Sequence, residues 1–542
     1  MKYSNILEEE IKNRVTQRRD LLVPQDVRER KGSFFTPKIW VELSQKYLAD
    51  VFGKDWQDEY YIWDCAAGTG NLLAGLTNKY NIWASTLDKA DVDVMKDRIE
   101  NGANLLESHV FQFDFLNDDF IPVSKGGKLP DGLFDIINNE KRRKKLIVYI
   151  NPPYAEAAIY GIRDKAQVAR NSKASSDFAP IIGTANNELF AQFFCVIYKK
   201  IPNSNMASFG TLKYITASNF IRFRDYFKAK YLTGFVCPAN TFDNVNGEFP
   251  IGFLIWDLAN KKDIKKIQTD VFERDGIFAG KKIFYAHKKG DFFSNWLSEY
   301  YDKKEQSIGY LKLLGTDMQT NRGICVYSYP SVNDLKKHMV ARISIKNLFP
   351  ISIYFAVRKC IKPTWLNNRD QFLYPNNKWK NDIEFHNDCL AYTLFNNNIS
   401  SKYGVNHWIP FMENEVNARD SFDSHFMAGF ISGKIIQNGY SNLFEKEEEK
   451  LCAKREFSPE ATTVFDAGRE LWKYYHAQPN INVNASLYDI REYFQGRNEK
   501  GNMNNKSDDE TYNKLIAELR STLQILAKKI KPKVYEYGFL ME

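Results

Sequence analysis

Asn151-Pro152-Pro153-Tyr154 directly follows the apolar run Leu146–Ile150. Consecutive prolines fix two φ angles and Asn initiates turns, so the tetrapeptide is at minimum a stiff corner after a strand. The same stiffness suits catalysis. The Asn151 side-chain oxygen and the Pro152 carbonyl can both accept hydrogen bonds from one –NH2 group, while Tyr154 offers a flat face to a planar base or amide. A conjugated –NH2 is a poor nucleophile because its lone pair is delocalised. Two acceptors pulling on its hydrogens shift the nitrogen toward tetrahedral geometry and free the pair for attack on a sulfonium methyl. Such a transfer needs positioning more than acid–base chemistry. The seven histidines are scattered, and none joins a cluster with metal-ligand spacing.

A second stretch, Asp64-Cys65-Ala66-Ala67-Gly68-Thr69-Gly70-Asn71, lies between a strand and a helical pattern. Gly68 and Gly70 let the backbone turn tightly and approach a ligand closely. The third glycine of the dinucleotide fingerprint is missing, which weakens a nicotinamide reading. About 20 residues on, the next strand ends at Leu87-Asp88, where an acid can accept hydrogen bonds from ribose hydroxyls. A third ends at Phe113-Asp114-Phe115, where a carboxylate can take an exocyclic amino group. Each alone also fits an ordinary turn or a capping aspartate. Three acids at successive strand ends point to one crevice, where open α/β sheets bind ligands.

The elements that must position these residues are strands alternating with helix-length segments. Tyr61–Trp63, Ile82–Ala84, Val110-Phe111, Leu146–Ile150 and Gly252–Trp256 are expected as buried strands, which implies an α/β layer fold with a mostly parallel sheet. Residues 1–31 are expected as an N-terminal helix, with Ile6, Leu7, Ile11 and Val15 on one face, and 32–257 as a catalytic domain. A lysine-rich stretch from Asn260 to Lys266 suggests a domain change, giving a C-terminal α+β region over 258–455 and a helical tail over 456–542. In the tail, Ser458-Pro459-Glu460 and Ser507-Asp508-Asp509-Glu510 have helix-start spacing. Gln495 to Lys506 reads as a mobile Gly/Asn-rich loop.

Composition bounds the remaining classes. The 542 residues are 44% hydrophobic and 15% aromatic, which excludes a disordered chain. The longest apolar stretch, Leu189–Tyr198, is about half of what a membrane span needs. No signal peptide is visible, so a cytoplasmic protein is expected. Seven dispersed cysteines without a C-x-x-C pair argue against a disulfide framework or a thiolate zinc site, and no metal is expected. The formal charge of +8 is compatible with a polyanionic partner.

Taken together the motifs resemble the amino-group DNA methyltransferases, specifically the γ-group N6-adenine enzymes that serve as modification enzymes or subunits in Type I, Type II and Type IIG restriction-modification systems. Gly32-Ser33-Phe34-Phe35-Thr36-Pro37 is similar to the family's N-terminal motif, Asp64–Gly70 to its cofactor loop, and Asn151–Tyr154 to its catalytic tetrapeptide, in the γ order. The resemblance covers about residues 31 to 257. It implies a Rossmann-like, seven-stranded S-adenosylmethionine-dependent methyltransferase domain with a C-terminal target-recognition region. The cofactor would be S-adenosyl-L-methionine, the partner double-stranded DNA and the origin bacterial or phage. A separate restriction or phage-defence subunit could accompany it. By resemblance, Thr36 and Pro37 line the methionine end of the cofactor. Asp64 and the backbone of Ala66, Gly68 and Gly70 hold its amino-acid part, Asp88 the ribose and Asp114 the adenine amino group, with Phe115 beside the ring. Asn187–Phe190 opens the post-catalytic helix, and Lys213–Phe220 is similar to the following strand-loop. The segment from Thr241 to Gly252 is similar to one carrying an aromatic that stacks on the flipped base, Phe242 being the first choice and Phe249 the second. Either could equally be core.

Residues 155 to 186 form a polar insertion, with Arg163, Lys165, Arg170 and Lys173, that is expected to order over DNA. Lys141–Lys145 is a solvated face or a phosphate contact. Trp365 to Gln371 offers Arg, Asn and Gln for base readout, or a turn. An RNA methyltransferase and a protein-glutamine methyltransferase are rivals, because a glutamine amide is similar to adenine's amino group. A restriction enzyme that also cleaves DNA is another. For that rival, Glu448-Glu449-Lys450 lies in a charged run without a convincing strand.

Overall fold

The computed structural model describes residues 36–154, 171–242, 245, 247–337, 339–434 and 454–541. The expected N-terminal helix, Gly32 to Phe35, Arg163, Lys165, Arg170 and the Glu448–Lys450 triplet lie outside the described residues. The chain divides into two compact units, one of residues 1–289 with 364–369, the other of 290–363 with 370–542.

The first unit is built on one sheet with strands β1 (Tyr61–Asp64), β2 (Ile82–Thr86), β3 (Val110–Gln112), β4 (Leu146–Ile150), β5 (Asn205–Thr211), β6 (Lys230–Pro238), β7 (Pro250–Asp257), β8 (Lys266–Phe272) and β9 (Phe278–Tyr285). Their order is β3-β2-β1-β4-β5-β7-β6-β8-β9. The sheet therefore has nine strands where seven were expected. Strands β1 to β7 form one contiguous block, and the β8–β9 hairpin extends it past the boundary expected at 257. β1 to β5 pair in parallel, and β7 runs antiparallel to both β5 and β6.

Alternation along the strands separates two layers. Leu146, Val148 and Ile150 of β4 face one apolar cluster, while Ile147 and Tyr149 face another. Helices α1 (Lys38–Phe52) and α2 (Lys89–Glu100) cover the second cluster with Trp40, Leu48, Val92 and Met95. Helices α3 (Lys173–Ile182) and α4 (Leu189–Lys200) cover the first with Phe178, Phe190 and Phe194. With both faces buried the strands are apolar on both sides, as parallel sheets require. The edge strand β9 is more exposed, and lysines 281 and 282 blunt it.

The second unit holds a small antiparallel sheet in the order β11-β10-β12, from β10 (Gly309–Lys312), β11 (Val326–Tyr327) and β12 (Val340–Ile343). Around it pack α5 (Leu348–Lys359), α6 (Ile383–Leu394), α7 (Pro459–His476) and α8 (Glu510–Glu536). One apolar cluster includes Ile353, Leu390, Val464 and Leu526, so the tail helices share a core with residues that sequence patterning separated at 455. Ser458 caps α7 by accepting from the Ala461 amide, as its spacing predicts. At α8 the cap is Asp509 rather than Ser507, whose hydroxyl donates to the Phe494 carbonyl. In the loop from Gln495 to Lys506, Asn504 donates to the Gln495 carbonyl and Arg497 to that of Gly501. Among the described residues no helix is long and apolar enough to cross a membrane.

Candidate active site

The pocket forms at the carboxyl ends of β1, β2, β3 and β4. After β1 the chain turns sharply. The Ala66 amide donates to Asp64 Oδ1 at 3.0 Å, the Ala67 amide to the Ser85 carbonyl at 2.9 Å, and the Gly70 amide to the Ala67 carbonyl at 2.8 Å. Gly68 and Gly70 sit at φ of 52° and 85°, the left-handed region that side chains resist. Arg98, from α2, clasps the loop through one guanidinium nitrogen that donates to the Thr69 carbonyl at 2.6 Å and to Asn71 Oδ1 at 2.7 Å. Sequence reasoning missed this arginine, which lies 27 residues from Asn71.

Asp64 is buried, and that burial pushes its carboxyl up to about 7, against the lowering effect of the Ala66 amide. Asp88 occupies the cap position of α2, and Asp91 follows in the first turn. Asp114 folds the chain after β3: Oδ1 accepts from the Leu116 and Asn117 amides, and Oδ2 from the Asn117 side chain at 2.8 Å. Phe115 is buried and stacks on Phe193 of α4, ring centres 5.2 Å apart.

At the end of β4, Asn151 Nδ2 donates to Thr36 Oγ1 at 2.8 Å, and the Tyr154 hydroxyl donates to Asn151 Oδ1 at 2.5 Å. Burial keeps the Tyr154 phenol far above its ordinary range, so it remains a proton donor.

Of the residues singled out from sequence, Thr36, Asp64, Ala66, Gly68, Asp88, Asp114, Phe115, Asn151 and Pro153 line this one pocket. Pro37, Gly70, Pro152 and Tyr154 are not in its lining. Pro37 starts α1, its carbonyl accepting from the Trp40 amide at 2.9 Å, and Gly70 packs close to Met95. Phe242, the first choice for a stacking ring, is 4% exposed and packs edge-on to Phe209. Phe249 is only partly buried, with the Arg369 guanidinium over its ring at 5.1 Å. Asn368 donates to the Glu248 carbonyl, and Gln371 accepts from Thr316 at 2.8 Å. The side chains expected to read bases thus bond within the protein. Lys213–Thr216, expected as strand-loop, is a helical turn after β5, and Lys213 forms an ion pair at 2.6 Å with Glu188, the residue that starts α4. Of the insertion, Ser172 caps α3 and lines the pocket, and Lys173 pairs with Asp119.

Four carboxylates (Asp64, Asp88, Asp91 and Asp114) and, among the described residues, no lysine or arginine line the pocket. That lining repels a pyrophosphate and suits a ligand that is cationic and rich in hydroxyl and amino donors. This set of acceptors fits S-adenosylmethionine, a sulfonium with an ammonium, ribose hydroxyls and an adenine amino group to donate.

No family profile matches the sequence, and no curated protein matches it. Solved structures are similar over part of the chain. The DrdV–DNA complex has a TM-score of 0.34 at 15% identity, over 47% of this chain and 30% of that one. The type IIG restriction endonuclease BpuSI gives 0.29 at 17%, over 45% and 28%. The ATP-dependent Type ISP restriction-modification enzyme LlaBIII bound to DNA gives 0.31 at 13%, over 60% and 26%. The chain spans less than a third of the length of each of these three.

Proposed function

We propose that the protein is a DNA methyltransferase that moves a methyl group from S-adenosylmethionine to the N6 amino group of adenine in duplex DNA. The observation that carries this reading is the placement of the Asn151 amide in the wall of an acidic pocket that also gathers Asp64, Asp88 and Asp114. When bound, the cofactor supplies an electrophilic sulfonium methyl group. The chain's own residues do the rest. Asp64 faces the amino-acid end, Asp88 takes the ribose hydroxyls, and Asp114 takes the adenine amino group on Oδ2, which keeps a second lone pair beside its bond to Asn117. Phe115 packs beside that ring.

The target adenine is unreachable inside a duplex and is swung out to enter the site, at a cost of a few kcal/mol that phosphate contacts and stacking offset. Asn151 Oδ1 and the Pro152 carbonyl then accept from its amino group, with Tyr154 against the base. A partner restriction or defence subunit belongs to the same reading.

Single-molecule sequencing of DNA from cells expressing the protein tests it. N6-methyladenine within one sequence motif is expected with the wild type and not with Asn151→Ala. In vitro, Asn151→Ala should lose about 3 kcal/mol of transition-state stabilisation or more, by analogy with removed oxyanion donors. Turnover within about threefold of wild type, roughly 0.65 kcal/mol, would sink the mechanism. Labelled cofactor offered with RNA or a glutamine-bearing protein separates the rival acceptors.

A further inference from the structure

The opposite end of the same sheet carries a concentration of positive charge that methyl transfer does not use. The starts of β4, β5, β6 and β8 and the ends of β7 and β9 meet there and are joined by hydrogen bonds. Arg143 donates to the Pro202 carbonyl at 2.6 Å, and Asn205 to the Lys144 carbonyl at 3.2 Å. The Leu258 amide bonds to Ser204 at 3.0 Å, the Ala229 amide to Lys262 at 3.0 Å, and the Ala286 amide to Lys265 at 2.9 Å. This rim therefore runs continuously across β4, β5, β7, β6 and β8, about 19 Å at the usual strand spacing.

Four basic runs line up along it: residues 141–145, Lys199 and Lys200 at the end of α4, Lys261 and Lys262, and Lys265 and Lys266. All but Arg143 are exposed. Together they place eleven positive charges on this rim, two of them (Lys144 and Lys199) paired with carboxylates. Of the nearby carboxylates, Glu140 pairs with Lys144, Asp177 with Lys199 and Asp263 with Lys228, while Asp257 accepts from the Ala259 amide and the Asn260 side chain. Among the described residues no carboxylate lies within ion-pair distance of Lys141, Lys200, Lys262, Lys265 or Lys266. Strands in a sheet lie about 4.8 Å apart, less than the Debye length of about 8 Å, so charges on adjacent strand ends reinforce one another at physiological salt. Tyrosines interleave with them: Lys261 Nζ lies 3.9 Å from the centre of the Tyr198 ring, and Arg142 lies 5.3 Å from that of Tyr61.

We propose that this rim is a second DNA-binding surface, holding the phosphate backbone of a duplex without regard to sequence. A row of about 19 Å spans roughly eleven phosphate charges of B-form DNA, which carries one per about 1.7 Å counting both strands, and meets those on the near side. Strand β4 alone separates the rim from Asn151 by about 16 Å. The rim and the pocket therefore lie at opposite ends of the strands, and the rim holds duplex by its phosphates alone. This surface stands apart from the methyl-transfer reading, because it needs neither the pocket nor the cofactor.

The test is binding of the 542-residue chain to a labelled, mixed-sequence duplex across a sodium chloride series. Replacing Lys261, Lys262, Lys265 and Lys266 together by Gln should flatten the slope of log affinity against log salt by about 0.9 for each phosphate that is no longer neutralised, up to about 3.6 in all. Affinity at low salt should fall tenfold or more. A smaller variant, Lys141→Gln with Lys145→Gln, probes the other end of the rim, keeps the test open if the first fails to fold, and should flatten the slope by up to about 1.8. Melting temperatures within a few degrees of wild type establish folding. An unchanged slope in a folded variant overturns the proposal. So does loss of binding to phosphatidylserine vesicles with DNA affinity intact, since the rim would then be a membrane-binding surface.

Discussion

Asn151 Nδ2 donates to the hydroxyl of Thr36 at 2.8 Å, across 115 residues of sequence. The bond holds the amide with its nitrogen toward Thr36. With nitrogen pinned to Thr36, Oδ1 turns to the other side, where the Tyr154 hydroxyl reaches it at 2.5 Å. An amide flipped by 180° would present hydrogens to a target amino group and repel it. Thr36 thus joins the segment before α1 to the corner after β4 and orients the group that accepts from substrate.

Thr36→Val keeps the shape of the side chain and removes the acceptor. Losing one buried hydrogen bond costs about 1–3 kcal/mol, so turnover should fall tenfold or more, and by a larger factor than cofactor affinity changes. Thr36→Ser, which restores the oxygen, should recover most of the activity. Steady-state kinetics with cofactor binding by calorimetry check this. Equal turnover for the Val and Ser variants would show that the bond does not position Asn151.

The Tyr154 hydroxyl holds the Asn151 oxygen that a target amino group needs. As a placeholder it should be dispensable for chemistry, while the ring should not. Tyr154→Phe is expected to retain turnover within about threefold and to lose about 1 kcal/mol of stability in the free protein. Tyr154→Ala should lose at least tenfold in turnover, since base–aromatic stacking contributes about 1–3 kcal/mol. Thermal melts and initial rates separate the two. A Phe variant as inactive as Ala would make the hydroxyl a participant.

Much of the site was legible because its residues act through short local motifs. Acids after β1, β2 and β3 and the proline corner after β4 are each readable within a few residues of an apolar run. The strand β5 was not, because Asn205-Met-Ala-Ser-Phe-Gly-Thr is small and polar in composition although every residue is buried. Helix α5 escaped for the opposite reason. Leu348 and all of Pro350 to Arg358 are buried, so no polar face marks its period. Arg358 sits inside that core, donating to Asn321, Tyr354 and the Gly315 carbonyl, and the bonds to Asn321 and Gly315 cross long stretches of chain that no local pattern reveals. Asp91 and Ser172 were likewise invisible, since each reaches the pocket through packing.

The Asp64 carboxyl, ordinarily near 3.8, is pushed up to about 7 by burial. Below pH 4 both folded and unfolded chains hold its proton, and it contributes nothing to pH dependence. Between those values the unfolded chain has released the proton while the folded one keeps it, so stability declines as pH rises. Above 7 the whole cost of a buried anion is present. Asp64→Asn should therefore raise the melting temperature more at pH 8 than at pH 5. Cofactor binding should run the other way. A cationic amino-acid end needs the ionised carboxylate, so affinity should rise by up to about tenfold per pH unit below 7 and level off above it. Calorimetric titrations from pH 6 to 8 measure it, and an equally steep profile in the Asn variant would assign the titration to another group.

Phe242 and Phe249 respond differently because only one of them is core. Phe242 packs edge-on to Phe209, ring centres 6.0 Å apart, beneath the turn that Thr241 ties to Trp40. Phe242→Ala should cost about 3–5 kcal/mol of stability and lower turnover only as far as the fold loosens. Phe249 is partly exposed, with Arg369 over its ring, and a cation over an aromatic face contributes about 0.5–1 kcal/mol at such a site. Phe249→Ala should change stability little and weaken the hold on an extrahelical base. Placing 2-aminopurine at the target position reads that directly, because its fluorescence rises as it leaves the stack. Wild type should give the larger rise, Phe249→Ala a reduced one, and folded Phe242→Ala the wild-type signal. The reverse pattern would mean that Phe242 leaves the core to meet the base, and would return the stacking role to it.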